Sequence, residues 1–306
     1  LTDLAPLAVL LPVLGAALTF TLVRRPRAQI TLTILTLALT LVLNVGLLAV
    51  VWETGAAAVN IGGWVPPIGI SLVVDRLSAL MLVISSLITL AVLLYATAQG
   101  VVDEDEGGPV SIFHPTYLIL VAGVSNAFLA GDLFNLYVGF EMLLAASFVL
   151  LTLGGTVERV RAGVTYVQVS LLSSMIFLVA IAMVYSATGT VNLALLSERV
   201  GDISPGTAAL LNLLLLVGFA VKAAVFPMSG WLPDSYPTAP APVTAVFAGL
   251  LTKVGIYAIL RMQMVVFPGT PLTDLLLVVA FLTMIIGILG AIVFVMLLVR
   301  SRRYAR

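Results

Sequence analysis

Apolar side chains dominate nine long runs of the chain, at 4–23, 29–52, 72–97, 113–130, 132–153, 163–186, 207–226, 241–261 and 273–299. About 20 consecutive apolar residues, coiled as a helix, cross the ~30 Å hydrocarbon layer of a bilayer. Backbone N–H and C=O groups find no partner in lipid, so a spanning helix must satisfy them internally. The pattern predicts an all-α polytopic membrane protein of nine transmembrane helices. Arg24, Arg25 and Arg27 follow the first run instead of preceding it, the wrong order for a signal peptide, and that run is expected to be a true span. The connections 53–71, 98–112 and 187–206 lean polar. Trp64 suits the membrane interface, and Ser204-Pro205-Gly206 suits a helix start. The stretch 227–242 differs, because Pro227, Pro233, Pro237, Pro240 and Pro242 preclude a long helix there. A short broken segment at membrane depth is expected, its backbone covered by protein or water.

Composition excludes several function classes. Of 306 residues, 61% are hydrophobic and 9% charged, and the mean hydropathy is +1.22. Soluble domains carry about 25% charged residues, so a soluble enzyme, a disordered chain and an electrostatic nucleic-acid binder are ruled out. Cysteine is absent and histidine occurs once, which excludes disulfides, thiolate sites and His clusters. With the N-terminus outside, nine arginines fall inside (24, 25, 27, 159, 161, 300, 302, 303 and 306) and two, Arg199 and Arg261, outside. This bias predicts an extracytoplasmic N-terminus. The acidic run Asp103, Glu104, Asp105, Glu106 would then be cytoplasmic, and acidic residues weigh little in the rule.

Three ionisable residues lie within spans: Glu141, Lys222 and Lys253. A charge at the bilayer centre costs about 2.5–3.5 kcal/mol on insertion scales, so such residues normally face the bundle interior and mark ion or proton paths. Burial eases proton loss from an amine and a nearby carboxylate opposes it, so a Glu–Lys pair with a second Lys can pass a proton. A static ion pair kept for packing specificity leaves the second lysine unexplained. Three such groups are too few oxygen ligands for a metal cage. Ala245, Ala248, Gly249, Thr252, Lys253 and Ile256 share a helix face, where small residues favour close packing. Thr252 and Ser147 suit either bridging waters or bonds to their own backbone. Asp132 is expected to cap a helix, Asp75 and Arg76 to pair locally, His114 to sit at the interface, and Asp234 to cap a short helix. Gln168, Ser170, Ser173 and Ser174 lie along one helix and suit either water or packing.

Three stretches resemble one family. They are Ala130-Gly131-Asp132-Leu133-Phe134-Asn135-Leu136-Tyr137 leading to Phe140-Glu141, then Val221-Lys222-Ala223-Ala224-Val225-Phe226-Pro227 through Trp231-Leu232-Pro233, then Leu250-Leu251-Thr252-Lys253-Val254-Gly255-Ile256-Tyr257. Together, and in that order, they resemble the antiporter-like proton-translocating subunits of respiratory complex I and of multisubunit Mrp cation/proton antiporters, with wording like that of the Mrp D subunit. The resemblance covers the chain to about Ala291. It implies that Glu141 is the family's key glutamate, Lys222 the lysine of its discontinuous seventh helix and Lys253 the lysine of its eighth.

The same resemblance implies a fold of two inverted five-helix repeats in about fourteen helices. Residues 1–112 then supply three leading helices, 113–261 the first repeat with its break near 222–233, and 262–306 a ninth helix with a basic tail. Past Gly290, Ala291-Ile292 run straight into Val293-Phe294-Val295-Met296, which reads as either a truncated product or, the favoured expectation, a join across a missing second repeat. The function implied is proton translocation within a Na+/H+ antiporter complex of a bacterial inner membrane. Its implied partners are other Mrp subunits, H+, Na+ and the lipid bilayer. Two alternatives are a proton-pumping subunit of a complex-I-like or membrane-hydrogenase assembly, and a non-conducting structural subunit. No nucleophile–base set or cofactor motif marks an enzyme, so no cofactor and no metal are expected.

Overall fold

The computed structural model describes residues 2–98, 110–268 and 272–304, with the side chains of 110, 111 and 298–304 excepted; the acidic run 103–106 lies outside the described residues. Among the described residues, nine helices are long and apolar enough to cross a membrane. They are α1 (Leu7–Thr21), α2 (Pro26–Thr54), α3 (Arg76–Ala98), α4 (Val110–Leu129), α5 (Leu133–Thr152), α6 (Val157–Thr188), α7 (Pro205–Ala223), α8 (Ala241–Val266) and α9 (Thr273–Tyr304). The chain is a multi-pass all-α membrane protein. One departure is local: the start of the expected third span is β2 (Ser71–Val74), paired antiparallel with β1 (Ala57–Asn60). Asp75 explains where the helix begins. Its carboxylate accepts from the Ser78 N–H while its own N–H donates to Ser78 Oγ, both at 2.8 Å, a reciprocal cap that starts α3 at Arg76.

Helix α4 is the hub. It packs on α1, α2, α3 and α5, and 83% of its spanning window is buried, against 0% for α9. The least apolar span is thus the most enclosed and the most apolar one the most exposed, the ordering expected when lipid is the outer solvent. His114, expected at the interface, is wholly enclosed because it lies on this central helix, its ring edge-on to Phe113 at 5.4 Å. Further along, α5 packs on α6, α6 on α7 and α7 on α8. Gly139 of α5 lies so close to α4 that an added Cβ would stand 3.0 Å from the Ala127 nitrogen.

The connecting segments gather at two ends. One end holds the β-hairpin, the α4–α5 turn and residues 189–204, stitched by isolated bridges between Leu72 and Ala130 and between Asp132 and Asn192. Asp132 caps α5 by accepting from the Asn135 N–H at 2.7 Å. The other end holds the α5–α6 turn and the proline-rich segment after α7. Here Arg159 donates to the carbonyls of Leu153 at 2.9 Å and Thr238 at 3.2 Å, which fixes the proline-rich segment to the base of α6. Helix α9 is continuous through Ala291 and Ile292 and is mostly exposed.

Candidate functional site

Helix α7 ends at Ala223 because Ala224 takes a left-handed conformation (φ 53°) and Pro227 cannot continue the ladder. The freed backbone is satisfied by protein. Val225 N–H donates to Ala220 O at 3.0 Å, the Trp231 indole donates to Val221 O at 3.1 Å, and Phe226 N–H donates to Thr283 Oγ1 of α9 at 3.0 Å. Such partners are what non-helical backbone needs at membrane depth. The chain then forms a single turn, Leu232–Ser235, and re-enters α8 at Ala241. Asp234 lies exposed within that turn, and the turn is capped by no side chain, so the capping role expected of Asp234 is not seen.

Lys222 occupies the last turn of α7, where unpaired carbonyls favour a cation. It is half-buried, with Nζ 5.9 Å from the centre of the Phe140 ring. Phe140, Phe177 and Phe219 form an aromatic cluster beside it, at centroid separations of 4.8–6.0 Å. Glu141 follows Phe140 on α5 and is also half-buried. Its carboxylate accepts a hydrogen bond from Ser174 Oγ of α6 at 2.5 Å, and among the described residues it makes no ion pair with Lys222 within 4.0 Å. Ser173, the neighbour of Ser174, donates to Gly218 O of α7 at 2.8 Å. Of the four polar residues expected along this helix, Ser174 therefore reaches the carboxylate and Ser173 serves packing.

Lys253 is placed differently. Its face of α8, with Ala245, Ala248 and Ile256, is exposed, and the helix packs on α7 through Gly255 instead. Of the stripe expected to pack, Ala245, Ala248, Lys253 and Ile256 face outward, while Thr252 is buried and Gly249 is half-buried beside Ile88. In a membrane helix, small size alone does not say which face meets protein. A π-turn, Phe247–Leu251, immediately precedes Thr252, and such turns are frequent at functional sites. The Lys253 amine donates to Ala248 O within this turn at 2.5 Å, and to Thr252 Oγ1 at 3.3 Å. Ser147 donates to Leu144 O at 3.0 Å and shares a 2.6 Å hydrogen bond with Tyr166 OH.

The local Asp75–Arg76 pair expected from the sequence does not form. Asp75 instead pairs with Arg261 of α8, through both guanidinium nitrogens. Arg76 donates to Trp52 O at 3.2 Å and lies over the Trp52 ring. Arg261 also donates to Tyr257 OH at 2.8 Å, and Tyr257 OH donates to Phe128 O at 2.6 Å. The chain of bonds holds α8 to α3 and α4 two turns beyond Lys253. Burial raises the Asp75 pKa, but its hydrogen bonds to Arg261 and Ser78 outweigh that and hold the carboxyl below its ordinary value. A depressed acid stabilises the fold above its unfolded pKa, about 4, and loses that contribution as pH falls through the folded value. Arg261→Met is expected to cost about 2 kcal/mol, between exposed and buried pairs. The drop in thermal-unfolding midpoint that reads it should shrink below about pH 4.

Tyr166, Trp231 and Tyr236, which spacing does not single out, complete the surroundings of Lys222. Together with Ser170 they line a cavity of about 20 Å³ against the amine-bearing side chain. Trp231 and Tyr236 stand in the proline-rich segment, whose density of helix breakers is the available signal.

Comparison with known proteins places this geometry in a family. Residues 130–296 match the family described as NADH:quinone oxidoreductase/Mrp antiporter, transmembrane. The D subunit of the Na(+)/H(+) antiporter of Alkalihalophilus pseudofirmus is 41% identical over 82% of this chain and 51% of its own length. The D subunit of the probable K(+)/H(+) antiporter of Rhizobium meliloti is 44% identical over 70% of this chain and 39% of its own. A chain of the Mrp complex from Dietzia sp. superposes with a TM-score of 0.87 at 36% identity, covering 94% of this chain and 54% of that one. The chain thus spans about half the length, or less, of these relatives. By a match over more than half its residues and by these identities, the chain belongs to the NADH:quinone oxidoreductase/Mrp antiporter transmembrane family.

Proposed function

We propose that the chain forms the proton-conducting half of a D-type subunit in a multisubunit monovalent-cation/proton antiporter, with Glu141, Lys222 and Lys253 as its relay. The observation that carries the reading is the Lys222 amine, held at the broken end of a membrane helix beside a small cavity that a few polar side chains reach, and without an ion pair among the described residues. Lys222 releases its proton when Glu141 is held by Ser174, and binds it more firmly when the carboxylate turns towards it. Lys253, on the exposed face of α8, takes the proton from this half. An uncovered lysine there costs about 2.5–3.5 kcal/mol in lipid, which supports a protein or water cover on that face. The chain acts as a secondary transporter subunit, in a bacterial inner membrane, with its N-terminus outside and other antiporter subunits around it.

The test is cation-induced pH change in everted vesicles carrying the complete complex. Sodium and potassium should each be tried, since the named relatives divide between the two. Cation-dependent proton movement is expected. No cation response, but proton pumping on adding a reductant, would favour the redox-driven pump that the family also includes.

A further inference from the structure

We propose that the cavity beside Lys222 is a binding site for a single water molecule, and that Tyr236 is the residue that positions it for proton exchange with the lysine. The inference rests on the reading of Lys222 as a relay and names a site that the relay residues alone do not supply. Three observations carry it. The cavity is about 20 Å³, and about 10–15 Å³ suffices for one water. Tyr236 lines it while 3% exposed, and its hydroxyl has no hydrogen-bond partner among the described residues. A buried hydroxyl without a partner costs about 1–3 kcal/mol, so the position is explained only if something bonds to it.

The lining supplies the two to four polar partners a buried water needs: Lys222, Tyr236, Tyr166 and Ser170. A metal ion fits poorly, since the lining offers a few neutral hydroxyls and an amine rather than a set of anionic oxygens. Tyr236 is also rigidly held. Its ring lies 5.6 Å from Trp231 and 5.4 Å from Phe247 of the α8 π-turn, and its carbonyl accepts from Thr244 Oγ1 at 2.8 Å. The site therefore joins the broken end of α7 to the turn that precedes Lys253.

The Tyr166 hydroxyl is itself anchored by Ser147 at 2.6 Å. In the proposed step the ammonium of Lys222 gives one proton to the water oxygen. The water passes one of its own protons on towards the neutral amine of Lys253, the acceptor of the proposed relay, while the hydroxyls of Tyr236, Tyr166 and Ser170 hold its oxygen in place. Lys222 is left neutral and Lys253 charged, the water is unchanged, and one proton has moved; nothing is oxidised or reduced.

The experiment compares Tyr236→Phe, Tyr166→Phe and Lys222→Ala in everted vesicles carrying the complete antiporter, with assembly checked on native gels. Tyr236→Phe keeps the ring and its packing and removes only the hydroxyl. It is expected to slow cation-driven proton movement roughly tenfold and to enlarge the ratio of rates in H2O and D2O, which a merely structural role would leave unchanged. Wild-type rate and isotope ratio in Tyr236→Phe, beside a dead Lys222→Ala, would overturn the water site while leaving the relay intact. Normal exchange in Lys222→Ala would overturn both. Independently of any variant, a map of the whole complex that resolves waters should show one within hydrogen-bond reach of both Tyr236 OH and Lys222 Nζ. Empty density there overturns the proposal.

Discussion

Lys222→Ala is expected to abolish cation-driven proton movement by the complete antiporter, to below about 1% of wild type, while the complex still assembles. The size follows from the role: a positioned proton-transfer group contributes about 10²–10⁴-fold. Assembly should survive because the amine makes no ion pair within 4.0 Å among the described residues, so its removal strands no buried carboxylate. Glu141 keeps its hydrogen bond from Ser174. Removing a poorly compensated charge from a membrane interior is neutral or favourable for the fold. Lys222→Arg sharpens the point, because a guanidinium stays protonated under all ordinary conditions. It preserves the charge at the end of α7 and cannot release the proton. Exchange should be lost in both variants if titration matters, and retained in Lys222→Arg if the charge only holds Phe140 in place. Vesicle pH-change assays, normalised to the amount of assembled complex, read the difference.

What the sequence makes legible follows from which physical constraint is local. Membrane spans are local, because each helix must satisfy its own backbone, so nine apolar runs translate directly into nine helices among the described residues. The break after α7 is local too, since the prolines that cause it stand in the segment itself. Asp132 likewise caps a helix from three residues away. The polar partnerships are not local. Asp75 reaches Arg261 across 186 positions instead of pairing with its neighbour Arg76, and Ser174 reaches Glu141 across 33. Nothing in the spacing of an apolar helix says which serine will meet the carboxylate. The packed face of α8 is illegible for a related reason. In water a hydrophobic stripe marks the buried side, but in lipid both sides are apolar, and one glycine against a backbone decides the contact. The second strand of the β-hairpin is hidden at the start of an apolar run because β-branched Val73 and Val74 serve a strand and a span equally well.

Gly255→Val should damage transport almost as severely as loss of the lysine, through geometry alone. A Cβ at Gly255 would stand 2.7 Å from the Ala223 nitrogen and 2.9 Å from its Cα and Cβ. These are largely backbone atoms at the end of α7 and cannot swing aside as a side-chain tip can, so α8 must move away. Overpacking of this kind costs about 1–3 kcal/mol, which a bundle of this size tolerates. The displacement falls where it does most harm, since Ala223 follows Lys222 and Gly255 lies two residues past Lys253. A misplacement of about 1 Å in a transfer path can cost about 10²-fold in rate. Gly249→Ala is the internal control. On the same helix its added Cβ meets Ile88 Cγ2 at 3.6 Å, an ordinary contact with a side chain able to adjust, and exchange should stay near wild type. Assembled Gly255→Val complexes that exchange at the wild-type rate would show that the packing of α8 on the α7 break does not set the relay distance.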